Sequence, residues 1–144
     1  MNVVIDTPVW SVVLRRHRRQ LGSKDTAILQ EFRQLVAEER VRIIGPIRQE
    51  ILSGIREEPN YERIRRDLRT VDDEPLATDD FEFAAQLYNK CRAGGFAGSD
   101  VDLLICSVAI DRNWAIFTAD RDFLHYAKVI GIHLHSPRNF NPVN

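Results

Sequence analysis

The segment Val3-Val4-Ile5-Asp6-Thr7-Pro8 constrains the fold more than any other part of this chain. Three β-branched or aliphatic residues in a row, without polar alternation, suit a strand buried on both faces, as in a parallel sheet. Pro8 fits the first turn of a helix, where its missing N–H is no loss. Val9, Trp10, Val13 and Leu14 then follow at helical spacing. A buried strand, a carboxylate and a helix start therefore adjoin, and parallel strands require crossover connections of this kind.

The alternation recurs along the chain. Gly22-Ser23 breaks the first helix, and the spacing predicts a second over Ala27–Glu39, with Ile28, Phe32, Leu35 and Val36 on one face. Val41, Ile43 and Ile44 form a second strand that stops at Gly45-Pro46. Helices are expected over Pro46–Gly54, Asn60–Arg69, from Asp79/Asp80 to about Arg92, and from Asp100 to about Arg112, the last capped by Ser99. Thr70-Val71 reads as a short third strand and Ala93–Gly98 as a flexible loop. Ala115–Phe117 is a strand, Asp120–Lys128 a short helix and Ile132–Leu134 a final strand. Such alternation predicts an α/β layer fold with a mainly parallel central sheet and helices on both faces. The length, 144 residues, suits one domain over 1–144.

Other features narrow the class. No apolar run is long enough to span a bilayer, and the N-terminus lacks the pattern of a signal peptide, so a cytoplasmic protein is expected. Cys91 and Cys106 are far apart, each in a helical pattern, and read as reduced core thiols. Net charge is −1, but residues 1–69 are net basic and residues 70–144 net acidic. This asymmetry is compatible with an anionic ligand meeting an acidic metal site, and equally with ordinary solvated charge.

The acids carry the chemistry. Asp6 and Asp120 emerge at the carboxyl ends of strands, where open parallel sheets bind ligands. Each is also placed to cap the helix that follows. Asp102 shares a helix face with Ile105, Cys106 and Ala109, and a carboxylate on such a face needs a partner. Ser99 and Asp102 have capping-box spacing, an alternative use. Asp100 falls on a wetter side with Ser107 and Asp111. Glu50 borders the stripe Ile47, Ile51, Ile55, and a plain surface role is open to it. If Asp6, Glu50, Asp102 and Asp120 converge, their repulsion demands protons or a cation. An all-oxygen donor set favours Mg²⁺ or Mn²⁺. His17, His125, His133 and His135 show no zinc-site spacing. A haloacid-dehalogenase-type phosphatase is disfavoured because Pro8 stands where its second Asp belongs, and a receiver module lacks its acidic pair.

Four segments, in order, resemble the PIN domain, specifically the VapC-like toxins. They are Val3-Val4-Ile5-Asp6-Thr7, Glu50-Ile51-Leu52-Ser53-Gly54, the helix Asp102 to Ala109, and Phe117-Thr118-Ala119-Asp120-Arg121-Asp122-Phe123. The resemblance spans nearly the whole chain and implies a Rossmann-like α/β/α sandwich. It also implies Mg²⁺- or Mn²⁺-dependent endoribonuclease activity on a tRNA, rRNA or mRNA, a VapB-like antitoxin and a homodimer.

By the same resemblance Asp6, Glu50, Asp102 and Asp120 are the catalytic acids, with Asp6, Asp102 and Asp120 holding metal. Glu50 is assigned to the attacking water or a second metal. Thr118 and Asp122 are supporting positions; the chain departs from the family at Cys106, which replaces the usual Ala, and at Asp100, a second acid near Asp102 that could support the metal shell or be mistaken for the ligand. Water attack leaves a 5′-phosphate and a 3′-hydroxyl, which leaves DNA open as a substrate. Arg15, Arg16 and Arg48 are candidate RNA contacts, with a solubilising basic face as the alternative. A PIN-like fold acting as a non-catalytic nucleic-acid or protein binding module remains the second reading.

Overall fold

A computed structural model describes residues 1–14 and 21–138. The elements run β1 (Val3–Ile5), α1 (Thr7–Val13), α2 (Ser23–Ala37), β2 (Val41–Arg42), α3 (Gly45–Ser53) and α4 (Glu58–Leu68). Then follow α5 (Thr78–Ala93), α6 (Asp100–Arg112), β3 (Ala115–Phe117), α7 (Asp122–Ala127) and β4 (His133–Leu134). The strands form one parallel sheet in the order β2-β1-β3-β4. Val3 pairs with both Val41 and Ala115, and Ile5 with Phe117. The crossovers from β1 to β2 and from β2 to β3 run in opposite directions, so their helices cover both faces. The predicted α/β architecture with a parallel sheet is the one observed.

The core explains the sequence pattern. Every residue of β1 and β3 is buried, as the unbroken apolar runs require. In α6, Leu103 to Ala109 are all buried, because α5 packs along a helix already lying on the sheet. Ser107, expected on a wetter side, is buried and donates its hydroxyl hydrogen to the Asp80 carbonyl at 2.7 Å. Cys91 and Cys106 are free and fully buried, as core thiols should be. Burial drives both thiols up, away from thiolate chemistry. No described helix is long and apolar enough to cross a membrane.

Several expectations need correction. Thr70-Val71 is a turn, and the contact to the sheet comes later, where Ile43 bridges Asp73 in parallel and Glu74 N–H donates to the Ile43 carbonyl at 2.9 Å. The cause is Arg48. Its guanidinium donates to the Leu68 carbonyl (2.9 Å), to the Val71 carbonyl and to Asp73 Oδ1 (2.9 Å). α2 starts four residues earlier than expected, after Gly22, with Asp25 in its favourable first turn. α4 starts at Glu58 with Pro59 in its first turn, ahead of the predicted Asn60. α7 begins at Asp122, because Asp120 stays outside it.

Candidate active site

The sheet order changes direction between β1 and β3, and the crevice at such a switch point is where α/β sheets bind ligands. Asp6 follows β1 directly, and its N–H donates to the Phe117 carbonyl at the end of β3 (2.9 Å). That bond ties the two strand ends together. Asp6 is buried at 5% exposure. Its Oδ1 accepts the Thr7 N–H (2.8 Å) as the cap of α1, and its Oδ2 accepts the Thr118 hydroxyl (2.7 Å). Capping and membership of the site coexist in this one residue.

Thr118 is the relay of the site. Its hydroxyl oxygen also accepts the Asp120 N–H at 3.0 Å, so one hydroxyl links the acid after β1 to the acid after β3. Asp120 in turn accepts the Asp122 N–H through Oδ1 (2.9 Å), which fixes the turn into α7. Asp102, half-buried in the first turn of α6, accepts the Tyr126 hydroxyl through Oδ2 at 2.8 Å. Its N–H is capped by Ser99 Oγ at 3.1 Å, as the spacing predicted.

Asp102, Asp120 and Asp122 each present a carboxylate oxygen, and the three oxygens lie within 4.8 Å of one another. Trans ligands on an octahedral Mg²⁺ stand about 4.2 Å apart. Side-chain rotation that brings the remaining pairs to cis spacing, about 2.9 Å, would close this triad on an ion, and the hard oxygen set fits Mg²⁺ or Mn²⁺. Asp6 is not in the tight triad. Burial pushes its carboxyl up to about 6, against the pull of the Thr118 and Thr7 hydrogen bonds, and the charges of Asp102 and Glu50 push it further. Burial raises Asp102 as well, opposed by Tyr126 and Ser99 and reinforced by Asp120 and Asp122. The five acids thus form one electrostatic unit, with Asp6 coupled to Asp102 and Glu50, and Asp102 to Asp120 and Asp122.

The other candidates fall elsewhere. Glu50 is exposed on α3 and reaches the unit only through its charge. Asp100 is exposed at the start of α6 and lies outside the triad, on a groove with α5 residues Phe81 and Tyr88. Arg48 is no free cation, since its guanidinium is committed to the 68–73 segment. Arg15 and Arg16 lie outside the described residues. Asp122 belongs to the triad itself, although the family pattern suggests an auxiliary acid.

Two residues of the site escape a reading by motif. Tyr126 is 1% exposed, and its phenol is pushed up by burial and by Asp102, so it stays a protonated donor. Gly98, in the loop taken as merely flexible, touches the same tyrosine: a Cβ there would stand 2.9 Å from Tyr126 Cε1 and 2.3 Å from Leu103 Cδ2. The only sequence hint was the position of Tyr126 one helical turn beyond Asp122, on the same face. Tyr126→Phe should weaken Mn²⁺ binding about tenfold, at the low end for loss of an outer-shell partner. Calorimetric titration checks this, and unchanged affinity would leave Tyr126 a packing residue.

A parallel sheet with a carboxylate cluster at its switch point places a candidate metal site where α/β domains bind ligands. The family model of the PIN domain matches residues 3–129, and this chain belongs to the PIN domain family, whose members are typically nucleases. No protein of curated function matches the sequence significantly. Solved structures share the fold at low identity. A chain of VapBC2 from Rickettsia felis, bound to a DNA fragment from its promoter, superposes with a TM-score of 0.75 at 16% identity, covering 94% of this chain and 98% of that one. A chain of FitAcB from Neisseria gonorrhoeae gives 0.72 at 15%, covering 95% and 99%. A chain of DNA-bound VapBC from Salmonella typhimurium gives 0.73 at 14%, covering 94% and 97%.

Proposed function

We propose that this protein is a Mg²⁺- or Mn²⁺-dependent endoribonuclease and the toxin of a VapBC-type toxin–antitoxin pair. The observation that carries the reading is the acid unit at the β1/β3 switch point, with three carboxylates spaced for an ion. Asp102, Asp120 and Asp122 would hold the ion, with Asp6 behind them. A bound divalent ion supplies Lewis acidity and neutralises charge that develops on the phosphate. The protein's own groups do the positioning. Thr118 fixes Asp6 relative to Asp120, and Tyr126 fixes Asp102. Glu50, exposed and uncommitted to any partner among the described residues, stands free to take a proton from an attacking water. The neighbours whose names denote VapBC and FitAB assemblies support a protein antitoxin as partner.

The test is incubation of the partner-free protein with structured tRNA and rRNA, with Mn²⁺, Mg²⁺ or EDTA. Metal-dependent cuts bearing 5′-phosphates are expected, together with their suppression by a cognate antitoxin. Absence of both cleavage and Mn²⁺ binding would favour the non-catalytic binding module. Cleavage of DNA in preference to RNA would overturn the substrate assignment.

A further inference from the structure

Beside the acid unit lies a groove of about 450 Å³ that no step of the proposed hydrolysis uses. One end is Thr118 and Asp120, so the groove opens from the site itself. Its walls are apolar, with Phe117, Ile28 and Leu134 from the core side and Leu124, 56% exposed, on the outer lip. Two cations, Lys24 and Arg121, stand on its rim, both exposed. Neither makes a salt bridge among the described residues.

The far wall is held rigidly. His135, Ser136 and Pro137 belong to the segment after β4, and buried Glu31 of α2 fastens it. Glu31 meets His135 Nε2 at 3.2 Å and accepts the Arg138 N–H and Nε–H, each at 2.7 Å. Arg138 reaches on to Glu38, and the Phe117 ring meets the His135 ring edge-on at 5.4 Å. Burial alone would push the Glu31 carboxyl up, yet these donors hold it below its ordinary value, so it stays a charged anchor. A buried charge network that serves no acid chemistry thus fixes one wall of a groove next to the acid unit. A preformed wall spares a ligand the cost of ordering it.

We propose that this groove is a nucleobase subsite, which seats the base of the nucleotide adjoining the scissile phosphate of a single-stranded RNA segment. The inference rests on the nuclease reading above. Apolar walls suit the flat face of a base, while Lys24 and Arg121 suit the phosphates on either side of it. An anionic backbone running from that rim to the cation site meets favourable charge at both ends while its base covers the apolar walls, whereas an acidic peptide would leave the walls unused and a purely apolar one the charges. The groove selects for unstacked bases, so loops and single strands would be cut in preference to duplex.

The test compares three fluorescein-labelled RNA 12-mers by anisotropy, in Ca²⁺ to slow cleavage: oligo(rU), oligo(rA) and an abasic ribose-phosphate strand. The wild-type protein should bind the base-bearing strands about tenfold more tightly than the abasic one. Leu124→Ser changes an exposed side chain, so the fold is kept, and it should shrink that ratio towards one. Lys24→Gln should weaken all three strands alike. Equal wild-type affinity for abasic and base-bearing strands overturns the subsite, as does an unaltered ratio in Leu124→Ser. Mn²⁺-dependent RNA cleavage in the same preparation separates the two readings: with cleavage present and the ratio absent, only the subsite falls. With neither cleavage nor RNA binding, both fall. Loss of affinity for a protein partner in Leu124→Ser, with the RNA ratio intact, would reassign the groove to that partner.

Discussion

Asp6→Asn is expected to make the metal-free protein more stable at pH 7.5 while reducing RNA cleavage by at least about a hundredfold. Both effects come from one buried carboxyl whose folded-state pKa is raised from 3.8 to about 6. A carboxyl raised in this way binds its proton more tightly in the folded state, so stability falls as pH rises from the unfolded value to the folded one. Well below the unfolded value of 3.8 the group is neutral in both states and costs nothing, and at pH 4 the cost is still small. Above pH 6 the penalty is fully present, at roughly 3 kcal/mol for a shift of about two units. Asparagine removes the charge but gives up one acceptor for the Thr118 hydroxyl, a loss of about 1 kcal/mol. The net gain of 1–2 kcal/mol corresponds to a rise in Tm of roughly 3–6 °C in a chain of this size. Melts in EDTA at pH 4 and pH 7.5 read it directly: the variant should lead at the higher pH only. With saturating Mn²⁺ the order should reverse, because an ion stabilises the state that binds it. A variant no more stable than wild type in EDTA would mean that Asp6 is not strained by burial.

How much of this was visible in the sequence depends on how local the cause is. Asp6, Asp120 and the Ser99 cap were legible because strand-end and helix-start chemistry is written in adjacent residues. Parallel pairing followed from the same local signs. Arg48 shows the opposite case. A cation near an acid motif suggests phosphate binding, but its three acceptors lie about twenty or more residues away, at Leu68, Val71 and Asp73. Glu31 and Asp80 were passed over for the same reason. Each is a buried acid whose partners, Arg138 and Arg112, come from a distant element, and periodicity marks only the apolar part of a core. The grouping of Asp122 with Asp102 and Asp120, and the commitment of Asp6 to Thr7 and Thr118, turn on distances that motif order does not encode. Tyr126 could be seen as a core residue of α7, but its hydroxyl's use could not, because that use requires knowing where Asp102 lands.

Gly98→Ala should be the most damaging alanine substitution at any of the seven glycines, and it should damage stability and metal binding together. The added Cβ would meet Leu103 Cδ2 at 2.3 Å and Tyr126 Cε1 at 2.9 Å, both on side chains that are 1% exposed. Leu103 can yield by changing rotamer only within a filled core, and the tyrosine ring is a rigid plate that Phe96 and Phe123 already contact edge-on at 5.5 and 5.2 Å. Overpacking of this kind costs about 1–3 kcal/mol, or a Tm lower by roughly 3–10 °C. Displacing the ring also pulls its hydroxyl from Asp102 Oδ2, so Mn²⁺ affinity should fall at least as far as in Tyr126→Phe. A double-mutant cycle identifies the cause. Leu103→Ala alone leaves a cavity, and Gly98→Ala placed beside it should cost less than in the wild-type background, because the methyl then enters vacated space. If the first contact is the whole problem, the double variant regains both stability and Mn²⁺ affinity. If it regains stability alone, the tyrosine ring is the contact that matters to the site. Strict additivity in both readouts would mean that the Leu103 contact costs nothing and that the Tyr126 ring carries the whole effect.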